Sequence, residues 1–149
     1  MRNKYIFRIL EDDSKCNGSS KAFGFDMNMK NIAEIWGSLI ALFGQTKYVS
    51  EEMEEVFEYY LEAVDNENET LIFSIYHGAT GLAIGMHKEY LNSDKAKEMI
   101  NEFMEKLKKT IPADFNHVGY YRDYGCKVEL GVVNGKGYAR YIELDDDDY

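Results

Sequence analysis

Apolar residues recur along this chain with two different periods, and the changes of period outline its elements. From near Asn28 to Gly44 the apolar positions are Ile32, Ile35, Trp36, Leu39, Ile40 and Phe43. Steps of three and four put them on one face of an α-helix, and Gly44 is suited to the C-cap. The same template fits Met53, Val56, Phe57, Tyr60, Leu61 and Val64 behind Ser50, and it predicts a second helix near 50–66. It fits again at Ala96, Met99, Ile100, Phe103, Met104 and Leu107, with Ser93 as N-cap and an end around Thr110, before Pro112.

Short apolar runs separate these stretches. Tyr5–Leu10 opens the chain as a strand. Leu71–Tyr76 and Leu82–His87 flank a short glycine-bearing loop and read as a hairpin, and Val118–Arg122 is a weaker strand. Lys127–Val133 and Lys136–Leu144 flank Asn134-Gly135, a pair that suits the two positive-φ positions of a type I′ turn. If that turn forms, Val133 faces Lys136 and Glu129 sits opposite Arg140, an opposite-charge pair that supports the register. Residues 14–27 fit no period well, apart from a short strand at Ala22–Asp26. Hairpins of this kind imply antiparallel pairing. The expected fold is α+β: a single antiparallel β-sheet with about three amphipathic helices packed mainly on one face. It forms one domain over 1–149 and ends in a frayed acidic tail at 145–149.

An apolar fraction of 45% makes the chain a globular one. The net charge of −10 disfavours nucleic acid and anionic membranes and favours a basic protein partner. The opening apolar run contains Arg8 and is followed by Glu11-Asp12-Asp13, too short and charged for a secretion signal. With no apolar run near the ~20 residues of a membrane helix, the chain is expected to work in the cytoplasm with Cys16 and Cys126 reduced.

No motif for chemistry stands out. His77, His87 and His117 lack metal-ligand spacing, and neither cysteine belongs to a CxxC. Gly78-Ala79-Thr80-Gly81 joins two strands, where a phosphate loop would lead into a helix. No serine occupies a GxSxG. Neither catalytic residues, nor a metal, nor a cofactor is therefore expected. The alternative is a small-molecule site or enzyme in a cleft between sheet and helices, with the glycines at 78, 81 and 85 and with His77, Tyr76 or Tyr121.

The surface carries more information. From Glu51 to Glu69 there are nine acidic residues and no Lys or Arg. On the second predicted helix Glu51, Glu55, Glu58 and Glu62 would form one outward stripe. Like charges at that spacing destabilise a helix, and an uninterrupted field of one sign steers oppositely charged partners. A second patch, Phe115–Tyr124, supplies Tyr120, Tyr121, Arg122 and Tyr124, residue types that anchor interfaces. It would serve a partner or, in a structural subunit, a homodimer.

A small acidic α+β chain with a glutamate-rich helix, abundant tyrosine and no catalytic motif resembles the immunity proteins of bacterial polymorphic toxins. The resemblance is one of overall character across the chain. It implies a protein that blocks a cognate toxin domain, often a basic nuclease, by binding it.

Overall fold

The computed structural model describes residues 4–11, 20–46, 48–49, 57–78, 81–90, 92–123 and 126–143. The strands are β1 (Ile6–Ile9), β2 (Ser20–Phe25), β3 (Tyr48–Val49), β4 (Phe57–Val64), β5 (Thr70–Gly78), β6 (Gly81–Met86), β7 (Phe115–Asp123), β8 (Cys126–Val133) and β9 (Lys136–Glu143). The helices are α1 (Met29–Phe43) and α2 (Asp94–Lys109), with a short 3-10 turn at Lys88–Tyr90.

Both helices begin and end where local chemistry dictates. The Asn28 side chain accepts from the Asn31 N–H at 2.8 Å, and Gly44, at φ 81°, closes α1 through its own N–H to the Ile40 carbonyl. Ser93 Oγ accepts from the Ala96 N–H at 3.3 Å, and the α2 ladder stops at Thr110. The six apolar α2 positions of the helical template are all buried.

The strands form two antiparallel sheets, not one. The larger runs β1-β4-β5-β6-β2, with β3 also on β4, and the smaller runs β7-β8-β9. At the smaller hairpin, Asn134 and Gly135 take φ 53° and 76°, Val133 pairs with Lys136, and Glu129 faces Arg140. Their side chains meet at 3.1 Å. The Gly135 N–H donates to the Asp114 carboxylate at 3.1 Å, which ties the turn to the segment after α2.

The expected helix over 50–66 is not what the described part shows. Residues 57–64 are strand β4, and the larger sheet pairs them on both sides, with β1 and β5. Phe57, Tyr59, Leu61 and Ala63 are buried and their alternates are half-buried, a period of two. The fold is α+β, with two α-helices among the described residues where about three were expected.

The helices lie on the inner face of the larger sheet. Trp36 of α1 meets Phe57 at a centroid distance of 4.9 Å, and Phe103 of α2 sits between Phe7 at 4.9 Å and Phe73 at 5.0 Å. The smaller sheet covers the other flank of α1. There the helix backbone comes so close that a Cβ on Gly137 would lie 2.2 Å from the Lys30 carbonyl oxygen. The apolar face of α1 is therefore wide: it buries residues toward both sheets, including Gly37 and Ser38. In α2 the outward residues Asp94, Lys97, Glu98, Asn101, Glu105 and Lys108 stay exposed.

Candidate partner-binding surface

Strand alternation divides the larger sheet into two unlike faces. The odd residues of β4 and β5 belong to the core with the helices, and the even residues point the other way. Register aligns these even residues in rows across the strands. Arg8, Glu62 and Ile72 make one row, Tyr60, Ser74 and Gly85 the next, and Glu58, Tyr76 and Ala83 the third. Ser74 and Ala83 are small and buried, while Tyr60, Tyr76, Glu58 and Ile72 are half-buried. The outward face therefore combines a low floor of small residues with taller aromatic and acidic side chains. The Lys21 side chain lies across Gly24 at the β2 edge of the same sheet, where a Cβ would meet its Cε at 2.9 Å.

The acidity of 57–69 is partly neutralised by remote basic residues. Arg8 Nε donates to Glu62 across the β1–β4 pair. Lys95, in the first turn of α2, reaches Asp65 at 2.7 Å and also bonds Glu69. Its ammonium holds the Asp65 carboxyl below the usual carboxylate range, and the two carboxylates push the lysine pKa up. Asp65 also accepts from the Glu67 and Glu69 N–H groups, each at 2.9 Å, and so shapes the β4–β5 turn. These acidic groups act inside the fold, which the absence of Lys and Arg between 51 and 69 does not suggest.

Of the residues expected to bind a partner, Glu58 and Glu62 share the outward face of β4. They keep a common face because an even separation does so in a strand, but they lie about 13 Å apart with Tyr60 between them. Glu51, Glu55 and Tyr124 lie outside the described residues, and the two described members of the expected helical stripe are on a strand. Tyr120, Tyr121 and Arg122 are in β7, paired with Glu129, Val128 and Lys127 of the smaller sheet. The acidic and aromatic patches thus belong to different sheets. Arg8, Tyr60 and Tyr76, which sequence reasoning did not place on a binding surface, join Glu58 and Glu62. Alternation in Phe57–Val64 puts Tyr60 on the face of Glu58 and Glu62, and the register of β1 and β5 on β4 is needed to add Arg8 and Tyr76.

The chain was compared with protein-family models, curated proteins and solved structures. None of the three gives a match.

Among the described residues, cavities of three sizes border α2. The largest, about 910 Å³, crosses its outward side between Lys4 at one rim and Phe25 and Met27 at the other. The others, about 280 and 260 Å³, lie toward β1 and toward α1. His77 and Tyr76 line none of these three. His77 is on the inner face of β5 opposite Leu82, and its burial lowers its pKa to about 4, so the ring is neutral at pH 7. Among the described residues no group of three His, Cys, Asp or Glu could hold a metal ion, and no helix is long and apolar enough to cross a membrane.

Proposed function

We propose that this chain is a protein-binding domain that docks a basic partner on the outward face of its larger sheet. The observation that supports this most is the set of aligned rows there, which places Tyr60 and Tyr76 beside Glu58 and Glu62 on a face opposite both described helices. Tyrosine offers large contact area at low entropic cost, and the surrounding negative charge of a −10 chain speeds encounter with a cationic surface. The most concrete form of the proposal is an immunity protein that occludes the working surface of a cognate toxin domain. On this reading the chain performs no chemistry, and binding alone does the work.

The test is a pull-down from the native organism followed by titration of any basic protein it retains, at low and moderate salt. Tyr60→Ala is expected to weaken binding by about tenfold or more. Glu58→Lys is expected to slow association and flatten its salt dependence. Full affinity retained by the Glu58→Lys, Tyr60→Ala double variant, with unchanged circular dichroism, would remove this face from the proposal.

The 910 Å³ groove over α2 supports a second reading, a small-molecule site, because its volume is in the range of such sites and Phe25, Met27 and Met104 give it an apolar lining. A ligand that raises the melting temperature of the wild type but not of a Met27→Lys variant would favour it.

A further inference from the structure

The 910 Å³ groove follows α2 from Asp94 in its first turn to Lys109 in its last. At about 1.5 Å of rise per residue it is about 22 Å long. Its two walls are unlike. One is formed by Phe25 and Met27, at the end of β2 and in the link to α1. Helical steps of four, three and four place Lys97, Asn101, Met104 and Lys108 in one strip of α2. That strip runs beside the Met27 wall, because Met27 and Lys108 also share the smaller cavity toward α1. The opposite wall is set by Lys4. Its ammonium meets Glu98 at 2.7 Å, and its N–H and that of Tyr5 donate to Glu102 at 2.8 and 2.9 Å. Both carboxylates of that wall are thus engaged within the fold.

The two ends of the groove differ in charge. In the first turn Asp94 and Lys97 stand three residues apart and offset each other. In the last turn Lys108 and Lys109 line the groove against one carboxylate, Glu105. Helical spacing sends these two lysines to either side of it, Lys108 with Met104 and Lys109 with Glu102. A chain of net charge −10 therefore carries a positive excess at this end of a groove with an apolar wall.

We propose that the groove holds a single-chain amphiphile with a carboxylate head, a ligand of fatty-acid type. This rests on the small-molecule reading of the groove given above and names its ligand. The carboxylate lies between the Lys108 and Lys109 ammonium groups, and the chain runs back over Met104, Phe25 and Met27 toward Asn101. A carboxylate that leaves water requires charge-assisted donors, which the two lysines supply. Their stems extend the apolar surface beneath the head. Methionine is unbranched and adaptable, so Met27 and Met104 can follow a flexible chain. An extended peptide fits less well. It would bring a backbone N–H and C=O at every residue, and the backbone groups along α2 are paired within the helix. A hydrocarbon chain has no such groups to satisfy. An ammonium head would meet two lysines at one end and the offset Asp94 and Lys97 at the other.

Isothermal titration calorimetry on the full chain tests this with decanoate, decylammonium and 1-decanol, each kept below its aggregation concentration. Decanoate is expected to saturate a single site and to bind at least tenfold more tightly than the other two. Lys108→Glu with Lys109→Glu should weaken decanoate at least tenfold, and Lys108→Arg with Lys109→Arg should not. Asn101→Trp, which places a ring in the groove, should block binding of the chain. All three positions are exposed, so the variants should fold, and circular dichroism would show it. Decanol or decylammonium bound as tightly as decanoate, and blocked by Asn101→Trp, would overturn the carboxylate assignment and leave the small-molecule reading standing. Decanoate affinity unchanged by the lysine reversal would overturn that assignment as well. Binding that survives Asn101→Trp would put the chain elsewhere on the protein and overturn the site. If none of the three probes binds, the proposal and the small-molecule reading of the groove fall together.

Discussion

His77 should make the stability of this protein fall as pH drops from about 6.5 toward about 4. The ring is 2% exposed on β5, facing inward with Ile75 and Phe73. In the unfolded chain the imidazole takes up a proton as pH falls through about 6.5, whereas in the fold desolvation delays this to about 4. Between those values the unfolded state binds more protons, so each pH unit lost removes up to about 1.4 kcal/mol of stability. The full contribution, about 3 kcal/mol, is present above 6.5 and gone below 4. The perturbation is His77→Leu, an apolar side chain of similar bulk that cannot titrate. Its absolute stability at pH 7 is not the readout, because the polar contacts of the ring change as well. The readout is the difference between wild-type and variant stability, from urea midpoints at half-unit steps between pH 4 and 7. Carboxylates such as Asp65, whose folded pKa is lowered by Lys95, also lose stability in acid, but they do so in both proteins and cancel. The difference should shrink by about 3 kcal/mol on acidification. A difference that stays constant across the range would show that His77 is solvated in the fold and would refute the burial argument.

Other expectations follow from contacts that single substitutions can address. Gly137→Ala should destabilise by about 2–4 kcal/mol, because the added Cβ would strike the Lys30 carbonyl oxygen and the α1 backbone cannot yield locally. Gly44→Ala, where nothing lies within 4 Å but φ 81° and ψ 179° form a backbone region almost confined to glycine, should cost about 1–3 kcal/mol from backbone strain alone, with both variants read from thermal melts. Asn28→Ala should lower stability by about 1 kcal/mol through loss of the α1 cap, measured by chemical denaturation. Lys95→Met should leave the fold intact and raise hydrogen exchange at the Glu67 and Glu69 amides, because Asp65 and Glu69 lose their shared cation.

Much of this fold is written locally. The type I′ turn needs only Asn134 and Gly135 to be specified, and the register of β8 and β9 follows from it. The bounds of α1 and α2 follow from Asn28, Gly44 and Ser93 together with a face that repeats every three or four residues. Residues 57–64 are different. Phe57, Tyr60, Leu61 and Val64 satisfy the helical steps, and Phe57, Tyr59, Leu61 and Ala63 satisfy the strand alternation, so periodicity alone does not choose. The choice is made by pairing with β1 and β5, a long-range term, helped by a local excess of aromatic residues that suit a pleated surface. The second sheet was hidden for a related reason. Strand order depends on which side of α1 a hairpin packs, and the close backbone approach at Gly137 that fixes this leaves only a glycine in the sequence. The candidate site inherits both gaps: Glu58 and Glu62 were legible, whereas Arg8, Tyr60 and Tyr76 needed the register.

The charge argument changes character once the strand is in place. A helical stripe of glutamates would expose one-signed charge with no return to the fold. On β4, Glu62 instead stabilises the edge pairing through Arg8, and Asp65 and Glu69 hold a turn against Lys95. Two cations therefore offset part of the charge of these three carboxylates, Arg8 against Glu62 and Lys95 against Asp65 and Glu69 together. The negative steering field is that of the whole −10 chain, and Glu58 is the acidic residue of the described rows that sits among the aromatic side chains. That shifts the expected division of labour at the proposed face. Tyr60 and Tyr76 would set how long a complex lasts, and acidic residues distributed over the chain would set how fast it forms. Reversing Glu58 alone should then change the association rate more than the dissociation rate, whereas truncating Tyr60 should do the opposite. A stripe of helical glutamates would have predicted large effects on both from the charges alone.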